Sequence, residues 1–397
     1  MDSNISITKQ FVDDWYNVFG PNNRFVIWGC SDFAEQLIRN LKDCVCFLYI
    51  VDIDSNKNGS LYNGIKVFLP DKLLGDRNVK IIISNTYMGT RVKIADQLKS
   101  MGFVENVDFT YIELMLSIYD WKINNRITSQ YVEVSVTTFC TLKCKNCTAY
   151  MPYIEKPCHL PFEELIIGAD LYFKSIDYVG RFRILGGEPL VYPDLTKYIE
   201  YIGENYRDRI GELCIVTNGT IIPDSQLLSL AEKYHLTFFV SNYKKSGSHI
   251  ATEDKYEKIL RLLENHNIKY YFSDNQKWLH LGSPKELSKN EGYSSLADKF
   301  SDCRHYCRSI VEDKLFICAT WAFAYLGSIY RDPIDQLIGK GIIDLREFGI
   351  VSKEERFYKW FEYDVLMNIP NGFIDFCKYC NGFGSKNTHF VPVGEQV

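Results

Sequence analysis

The chain has 397 residues, 46% of them apolar and 15% aromatic, with a formal charge of −5. This length points to two or three domains, and this composition excludes wholesale disorder. The weak acidity, without a run of five Lys or Arg, gives no electrostatic reason to expect nucleic acid. No stretch approaches the ~18–20 apolar residues of a membrane span. The start, MDSNISITKQFVDD, lacks the basic and apolar regions of a signal peptide, so a cytoplasmic protein is expected. Its thirteen cysteines are odd in number and locally clustered, which argues for metal binding or redox work over a disulfide framework.

Residues 1–110 read as a small α/β unit. Phe25–Trp28 is an apolar strand running into Gly29-Cys30-Ser31-Asp32, and Phe33, Leu37, Ile38 and Leu41 follow at helical spacing. Ser31 or Asp32 is placed to cap that helix. A second strand, Cys46–Val51, ends at Asp52, and a third, Val79–Ile83, precedes a helix from Thr90 to Leu98. A strand, a turn, a helix and an acidic residue roughly 20 positions on form the layout of a dinucleotide-binding half-domain. Only Gly29 of the glycine fingerprint is present, with Ser31 and Ala34 where further glycines belong. The segment resembles the Rossmann-like front domain of sugar acyltransferases and related glycan enzymes. That resemblance leaves two roles open, nucleotide binding and a docking or dimerisation domain that makes the protein a homodimer.

Residues 111–130 read as a connecting helix or linker around Trp121. Within 131–300, Val132–Val136, Arg181–Leu185, Glu212–Thr217, Thr237–Ser241 and Lys269–Phe272 are strand candidates. Helical stretches such as Tyr198–Tyr206, Ser225–Tyr234 and Tyr256–His266 separate them. Such alternation predicts a mostly parallel sheet, open or a partial barrel, with its chemistry at the strands' C-terminal ends. Residues 301–397 carry five more cysteines and are expected to form a third, cluster-binding module.

The chemistry starts at Cys140-Thr141-Leu142-Lys143-Cys144-Lys145-Asn146-Cys147, three thiols in eight residues straight after a strand. Soft thiolates suit zinc or an iron–sulfur cluster. Zinc would close with a fourth ligand such as Cys158 or His159, whereas three cysteines leave one iron of a cubane without a protein ligand. About 40 residues on, Arg183-Ile184-Leu185 leads into Gly186-Gly187-Glu188-Pro189. Glycines there let the backbone approach a ligand, and Glu188 is placed to fix the loop or an ammonium group.

The Cys-x3-Cys-x2-Cys spacing, paired with Gly-Gly-Glu-Pro after the next strand, resembles the radical S-adenosylmethionine (radical SAM) enzymes. The resemblance implies a partial (β/α)6 barrel with a [4Fe–4S] cluster on Cys140, Cys144 and Cys147. The open iron of that cluster chelates S-adenosylmethionine, and one electron from a donor such as flavodoxin or ferredoxin yields a 5′-deoxyadenosyl radical that abstracts hydrogen. Asn146 departs from the aromatic residue often found before the third cysteine. Thr217 and Asn218 end the third strand of this unit, and Ser241 and Asn242 the fourth, where relatives meet the cofactor. Helix capping is the plainer alternative for both pairs.

Cys303, Cys307, Cys318, Cys377 and Cys380 form a second group, with Cys377–Cys380 a Cys-x2-Cys knuckle. A cysteine, a hairpin over Ser309–Ile317, a second cysteine and a distant knuckle resemble the twitch and SPASM extensions of radical SAM enzymes. One auxiliary [4Fe–4S] cluster is implied, on Cys318, Cys377, Cys380 and either Cys303 or Cys307, with a structural zinc as the alternative. The spare thiol is a candidate hydrogen donor, as in radical epimerases, and Cys158 and Cys214 are further candidates. His159, His249, His280 and His305 lack partnering motifs and are expected in surface or core roles.

The front domain favours a sugar substrate, a nucleotide-linked or lipid-linked glycan precursor that is epimerised, dehydrogenated or otherwise changed at a C–H bond. A ribosomally made peptide is the second reading, although the front domain does not resemble a peptide-recognition module. An iron–sulfur or zinc sensor or scaffold is the non-enzyme reading.

Overall fold

The computed structural model describes residues 3–274, 277–283, 286–303, 307–330 and 332–397. Its contacts divide into two units, Met1–Thr128 with Lys353–Met367, and Ser129–Ser352 with Asn368–Val397.

The first unit opens with helix α1 (Ser3–Val18), then β1 (Arg24–Trp28), α2 (Asp32–Leu41) and β2 (Cys46–Val51). A short edge hairpin, β3 (Leu61–Tyr62) and β4 (Ile65–Phe68), is followed by β5 (Lys80–Ile83), α3 (Met88–Ser100), β6 (Phe109–Tyr111) and α4 (Ile112–Asn124). The sheet order is β3-β4-β2-β1-β5-β6, parallel throughout except for the hairpin. This is the doubly wound arrangement that the strand–turn–helix pattern predicts. Ser31 is the cap of α2, its Oγ accepting from Ala34 N at 3.2 Å. Val26, Trp28, Val51, Ile81, Ile83 and Phe109 fill the core, all at most 2% exposed.

Two stretches fall elsewhere than the sequence suggests. Residues 111–130, expected as a connecting segment, carry α4, which belongs to this unit. A helix at Lys353–Trp360, expected with the C-terminal module, also packs here. Phe357 stacks on Trp121 at 4.3 Å and 5°, and Trp360 donates to Thr128 O at 3.1 Å. Stacked aromatic rings bury more apolar area than chain proximity alone would bring together.

The second unit begins at β7 (Thr128–Ser135) and continues with α5 (Phe162–Ser175), β8 (Tyr178–Leu185), α6 (Leu195–Tyr206), β9 (Ile210–Thr217) and α7 (Ser225–Tyr234). Next come β10 (Leu236–Ser241), α8 (Glu253–Asn265), β11 (Tyr270–Ser273), β12 (Lys277–Leu279) and α9 (Leu296–Cys303). The remainder is β13 (Arg308–Val311), β14 (Lys314–Phe316), α10 (Ala319–Leu326), β15 (Ile342–Asp344), α11 (Leu345–Phe348) and β16 (Phe390–Pro392). The main sheet runs β11-β10-β9-β8-β7-β13-β14-β15, with β8 to β11 parallel and β13 parallel to β7. Among the described residues it is an open α/β sheet with β11 and β15 as its edge strands.

The boundary expected at 300/301 therefore lies inside one sheet. β13 and β14 do form the hairpin expected over Ser309–Ile317, but β13 also takes β7 as a partner and so extends the sheet. Side chains alternate in the strands. Phe182, Ile184, Leu213, Ile215, Phe238 and Val240 are fully buried on one face, while Arg181, Arg183, Val216, Phe239 and Ser241 on the other are half-buried. No described helix is long and apolar enough to cross a membrane.

Candidate active site

The cysteine loop leaves β7 through Val136, whose N–H bonds Leu185 O at 2.8 Å, and packs onto the Gly-Gly-Glu-Pro turn. Gly187 N donates to Thr137 O at 2.9 Å, and Glu188 N donates to Phe139 O at 2.8 Å. A Cβ on Gly186 would lie 2.4 Å from Thr137 O, and one on Gly187 2.1 Å from Phe139 O. These glycines thus serve the close approach of one loop to another.

Glu188 is fully buried. It accepts from Thr217 Oγ1 at 2.8 Å, Asn218 N at 2.7 Å and Leu190 N at 3.1 Å. Its side chain ties the turn to the end of β9, with Oε1 taking two of the bonds and Oε2 one. Burial pushes its carboxyl up to about 7 against those three donors. Asn218 in turn reaches Cys140 Sγ at 3.6 Å and Thr141 Oγ1 at 3.0 Å through Nδ2. The expected Asn242 holds Asp274 Oδ1 at 2.9 Å and the Lys244 N–H at 3.0 Å. Ser241 ends β10 with its carbonyl accepting from Tyr256 Oη at 3.2 Å.

The three thiols neighbour one another. Burial, and then the other cysteines, push Cys140 up to about 12 and Cys144 up to about 11. Such thiols keep their protons at neutral pH until a metal displaces them. Donors already face sulfur: Leu142 N lies 3.5 Å from Cys140 Sγ, and Gln396 Nε2 lies 3.4 Å from Cys144 Sγ. Backbone N–H groups of Met151, Ala149 and Tyr150 serve Cys147. This donor set fits thiolates bound to an iron–sulfur cluster, whose sulfurs accept hydrogen bonds. Among the described residues, no three Cys, His, Asp or Glu side chains converge as they would on a single ion. Of the alternative zinc ligands, His159 meets Thr137 Oγ1 through Nδ1 at 3.0 Å, and Cys158 is exposed.

The second cysteine group separates into two places. After burial, Cys303, Cys380 and Cys318 raise the thiol of Cys377, and Cys380 and Cys303 raise that of Cys318. Gly382 N and Phe383 N stand 3.3 Å from Cys380 Sγ and Cys303 Sγ. Cys307 is elsewhere, beside Tyr131, Glu133 and Arg183, and it packs in the apolar cluster that includes Cys140, Cys147, Leu185 and Val216. The spacing alone left Cys303 and Cys307 equivalent, whereas the fold puts only Cys303 with the knuckle. Cys214 is fully buried with its thiol toward Glu212 O at 3.6 Å. His305 lies outside the described residues.

Several neighbours carry no sequence signal. Lys299 is 1% exposed, and its Nζ donates to Cys377 O, Cys380 O and Asn290 Oδ1, each at 2.5 Å. Tyr243 faces the first three cysteines, which raise its hydroxyl after burial has done so. Tyr150 feels Cys147 on one side and Cys318 and Cys380 on the other, with its hydroxyl sealed and unpartnered. Gln396 reaches the loop from 249 positions after Cys147, through a bridge between Cys144 and Gln396. Periodicity cannot reveal such contacts, because each depends on chain closure.

Residues 134–273, spanning β7 to β11, match the model of the radical SAM superfamily. Residues 134–273 form a radical SAM domain. GTP 3',8-cyclase of Campylobacter jejuni subsp. doylei is 26% identical over 280 residues, which cover 68% of this chain and 79% of the relative. GTP 3',8-cyclase of a Sulfurovum species is 32% identical over 138 residues, 34% of this chain and 41% of its own. Among solved structures, BtrN in complex with AdoMet and 2-DOIA aligns over 64% of this chain and 94% of its own, at 18% identity and a TM-score of 0.40. Radical SAM domains work with a [4Fe–4S] cluster and S-adenosylmethionine, and they draw their electron from an external donor.

Proposed function

We propose that this radical SAM enzyme abstracts hydrogen from a sugar carbon of a nucleotide-linked or phosphorylated substrate. Cys140, Cys144 and Cys147 hold its catalytic cluster, and the backbone of Gly186–Pro189, with Thr217, Asn218, Ser241 and Asn242, lines the S-adenosylmethionine site. When bound, the cluster and S-adenosylmethionine supply a 5′-deoxyadenosyl radical. The chain's own residues hold the loop closed, orient the substrate and manage the radical that results. Cys303, Cys318, Cys377 and Cys380 hold one auxiliary [4Fe–4S] cluster in a twitch-like arrangement.

The observation that carries the substrate class is the half-buried sheet face beneath the cysteine loop. Arg183 and Ser241 lie on it, beside an Arg181–Glu212–Lys269 ion-pair network, polar groups that suit a hydroxylated molecule more than an apolar peptide side chain. Cys307 packs with the cysteine loop at the end of that face, where a thiol can return a hydrogen atom to a substrate radical. The relatives named GTP 3',8-cyclase favour a second reading, ring closure on GTP, in which the sugar of a nucleotide is again the reacting part.

The test is anaerobic reconstitution with S-adenosylmethionine, dithionite and substrates deuterated on the sugar. Deuterium entering 5′-deoxyadenosine from a nucleotide sugar supports the first reading, and from GTP the second. Transfer only from a deuterated peptide would overturn both. Cys307→Ala should keep 5′-deoxyadenosine release while stopping solvent hydrogen from reaching the product.

A further inference from the structure

The segment after β16 closes over the cysteine loop. β16 is held by β12, with Trp278 opposite Val391, and Trp278 meets the Tyr243 ring edge-on at 5.7 Å. Gly394 then turns the chain with φ +67°, where a Cβ would stand 2.5 Å from Tyr243 Cδ1. Beyond it the chain pairs with the loop. Lys145 N donates to Glu395 O at 2.7 Å, and Val397 N donates to Lys143 O at 2.8 Å. Cys144 and Gln396 face each other, antiparallel, at the centre of this short ladder.

The neighbours of the Gln396 amide fix its orientation. Lys143 N can only donate, so the atom 2.8 Å from it is the carbonyl oxygen Oε1. Gly394 O can only accept, and it takes one Nε2 hydrogen at 2.5 Å. The second Nε2 hydrogen is left for Cys144 Sγ, at 3.4 Å. A flipped amide would set Oε1 against a carbonyl and a sulfur and would strand the Lys143 N–H. The neighbouring sulfurs are served differently: Cys140 meets Leu142 N and Asn218 Nδ2, and Cys147 meets backbone N–H groups just after it. Cys144 is 7% exposed, so the bond from Gln396 lies largely out of water and is strengthened there.

One-electron reduction adds negative charge to an iron–sulfur cluster, and an N–H aimed at a ligand sulfur stabilises that charge. We propose that Gln396 is a positioning residue that raises the reduction potential of the catalytic cluster through Cys144. This rests on the reading that Cys140, Cys144 and Cys147 hold that cluster. The electron comes from an external donor, and the amide neither gains nor loses a proton. Its effect is thus confined to how readily the cluster accepts the electron. The backbone bonds on either side of Gln396 hold its N–H on the sulfur while the charge changes.

The test uses the full chain, reconstituted anaerobically, poised with dithionite and redox mediators and read by electron paramagnetic resonance. The catalytic cluster is the one whose reduced signal changes on adding S-adenosylmethionine, which separates it from a second cluster. Gln396→Leu should lower its reduced-to-oxidised ratio at a fixed potential by about tenfold, a fall of about 59 mV for one electron. Gln396→Glu keeps an acceptor for Lys143 N but presents a carboxylate oxygen to the sulfur, and should lower the ratio further. It remains informative if Gln396→Leu fails to fold. Val397→Ala keeps every backbone bond of the ladder and should stay within about twofold of wild type. Ratios within about twofold of wild type in both Gln396 variants, or an equal fall in Val397→Ala, would overturn the assignment. Failure of the cluster reading shows separately, since wild type would then give no signal that responds to S-adenosylmethionine.

Discussion

Two strand–turn–helix corners can be compared, one in each unit. At the first, after β1, the turn consumes its own polar groups. Asp52 accepts from Cys30 N and Asp54 N, both at 3.0 Å, and from Lys57 Nζ at 3.1 Å. Gly29 has φ +104°, and Ser84 Oγ fills the place where its Cβ would stand, at 2.8 Å. The acidic residue that would meet a ribose is already employed, which leaves little of the dinucleotide site the layout predicts. At the second corner, after β7, donors are aimed at sulfur and the thiols wait for a metal. The two corners thus carry opposite bookkeeping: one is finished as protein, while the other holds thiols and sulfur-facing donors ready for what it binds.

The largest effect belongs to the unfinished corner. Cys147→Ser should abolish 5′-deoxyadenosine release and lower iron from about eight to about four per chain, read by colorimetric iron and product chromatography. Unchanged iron would mean that these thiols hold no cluster. Lys299→Met strips the donor from two knuckle carbonyls and should cost about 3 kcal/mol, with loss of the iron held by Cys303, Cys318, Cys377 and Cys380. A denaturation midpoint equal to wild type would place that ammonium outside the support of the knuckle. Gly187→Ala forces a methyl against Phe139 O and should cost about 1–3 kcal/mol, again measured by denaturant unfolding.

Glu133 gives a pH signature. Its folded-state carboxyl, near 7, stands above the unfolded value, so its contribution is whole below about pH 4.5 and is lost as pH rises through 7. Glu133→Gln should remove that slope, gaining on the order of 2 kcal/mol over wild type between pH 5 and 8, and parallel stability curves would refute it. The smallest effect is expected at the finished corner. Asp52→Asn should cost about 1 kcal/mol of stability and leave 5′-deoxyadenosine release unaltered. A change in that release would give the front turn a part in the chemistry.

Much of this was legible in the residue order. The strands Cys46–Val51 and Thr237–Ser241 and the helix Ser225–Tyr234 lie within a residue of where hydrophobic periodicity puts them, because burial of one face is written into each segment. The first cysteine loop and its Gly-Gly-Glu-Pro partner were also visible, since both are short and their chemistry is local. The reason for the glycines was not visible, because it depends on Thr137 and Phe139 lying against them.

Sequence by itself determined which residue types are available: three thiols on one loop, a distant knuckle, and alternating strands and helices for a parallel sheet. Tertiary structure decided the company each group keeps. It separated Cys303 from Cys307 although they are four residues apart, brought Lys299 under the knuckle, and gave Arg181 a carboxylate partner where Arg183 meets a tyrosine hydroxyl. The physical reason is range. Periodicity and turn chemistry act over a few residues, whereas hydrogen bonding and charge pairing act over a few ångströms, and only the folded chain converts one into the other.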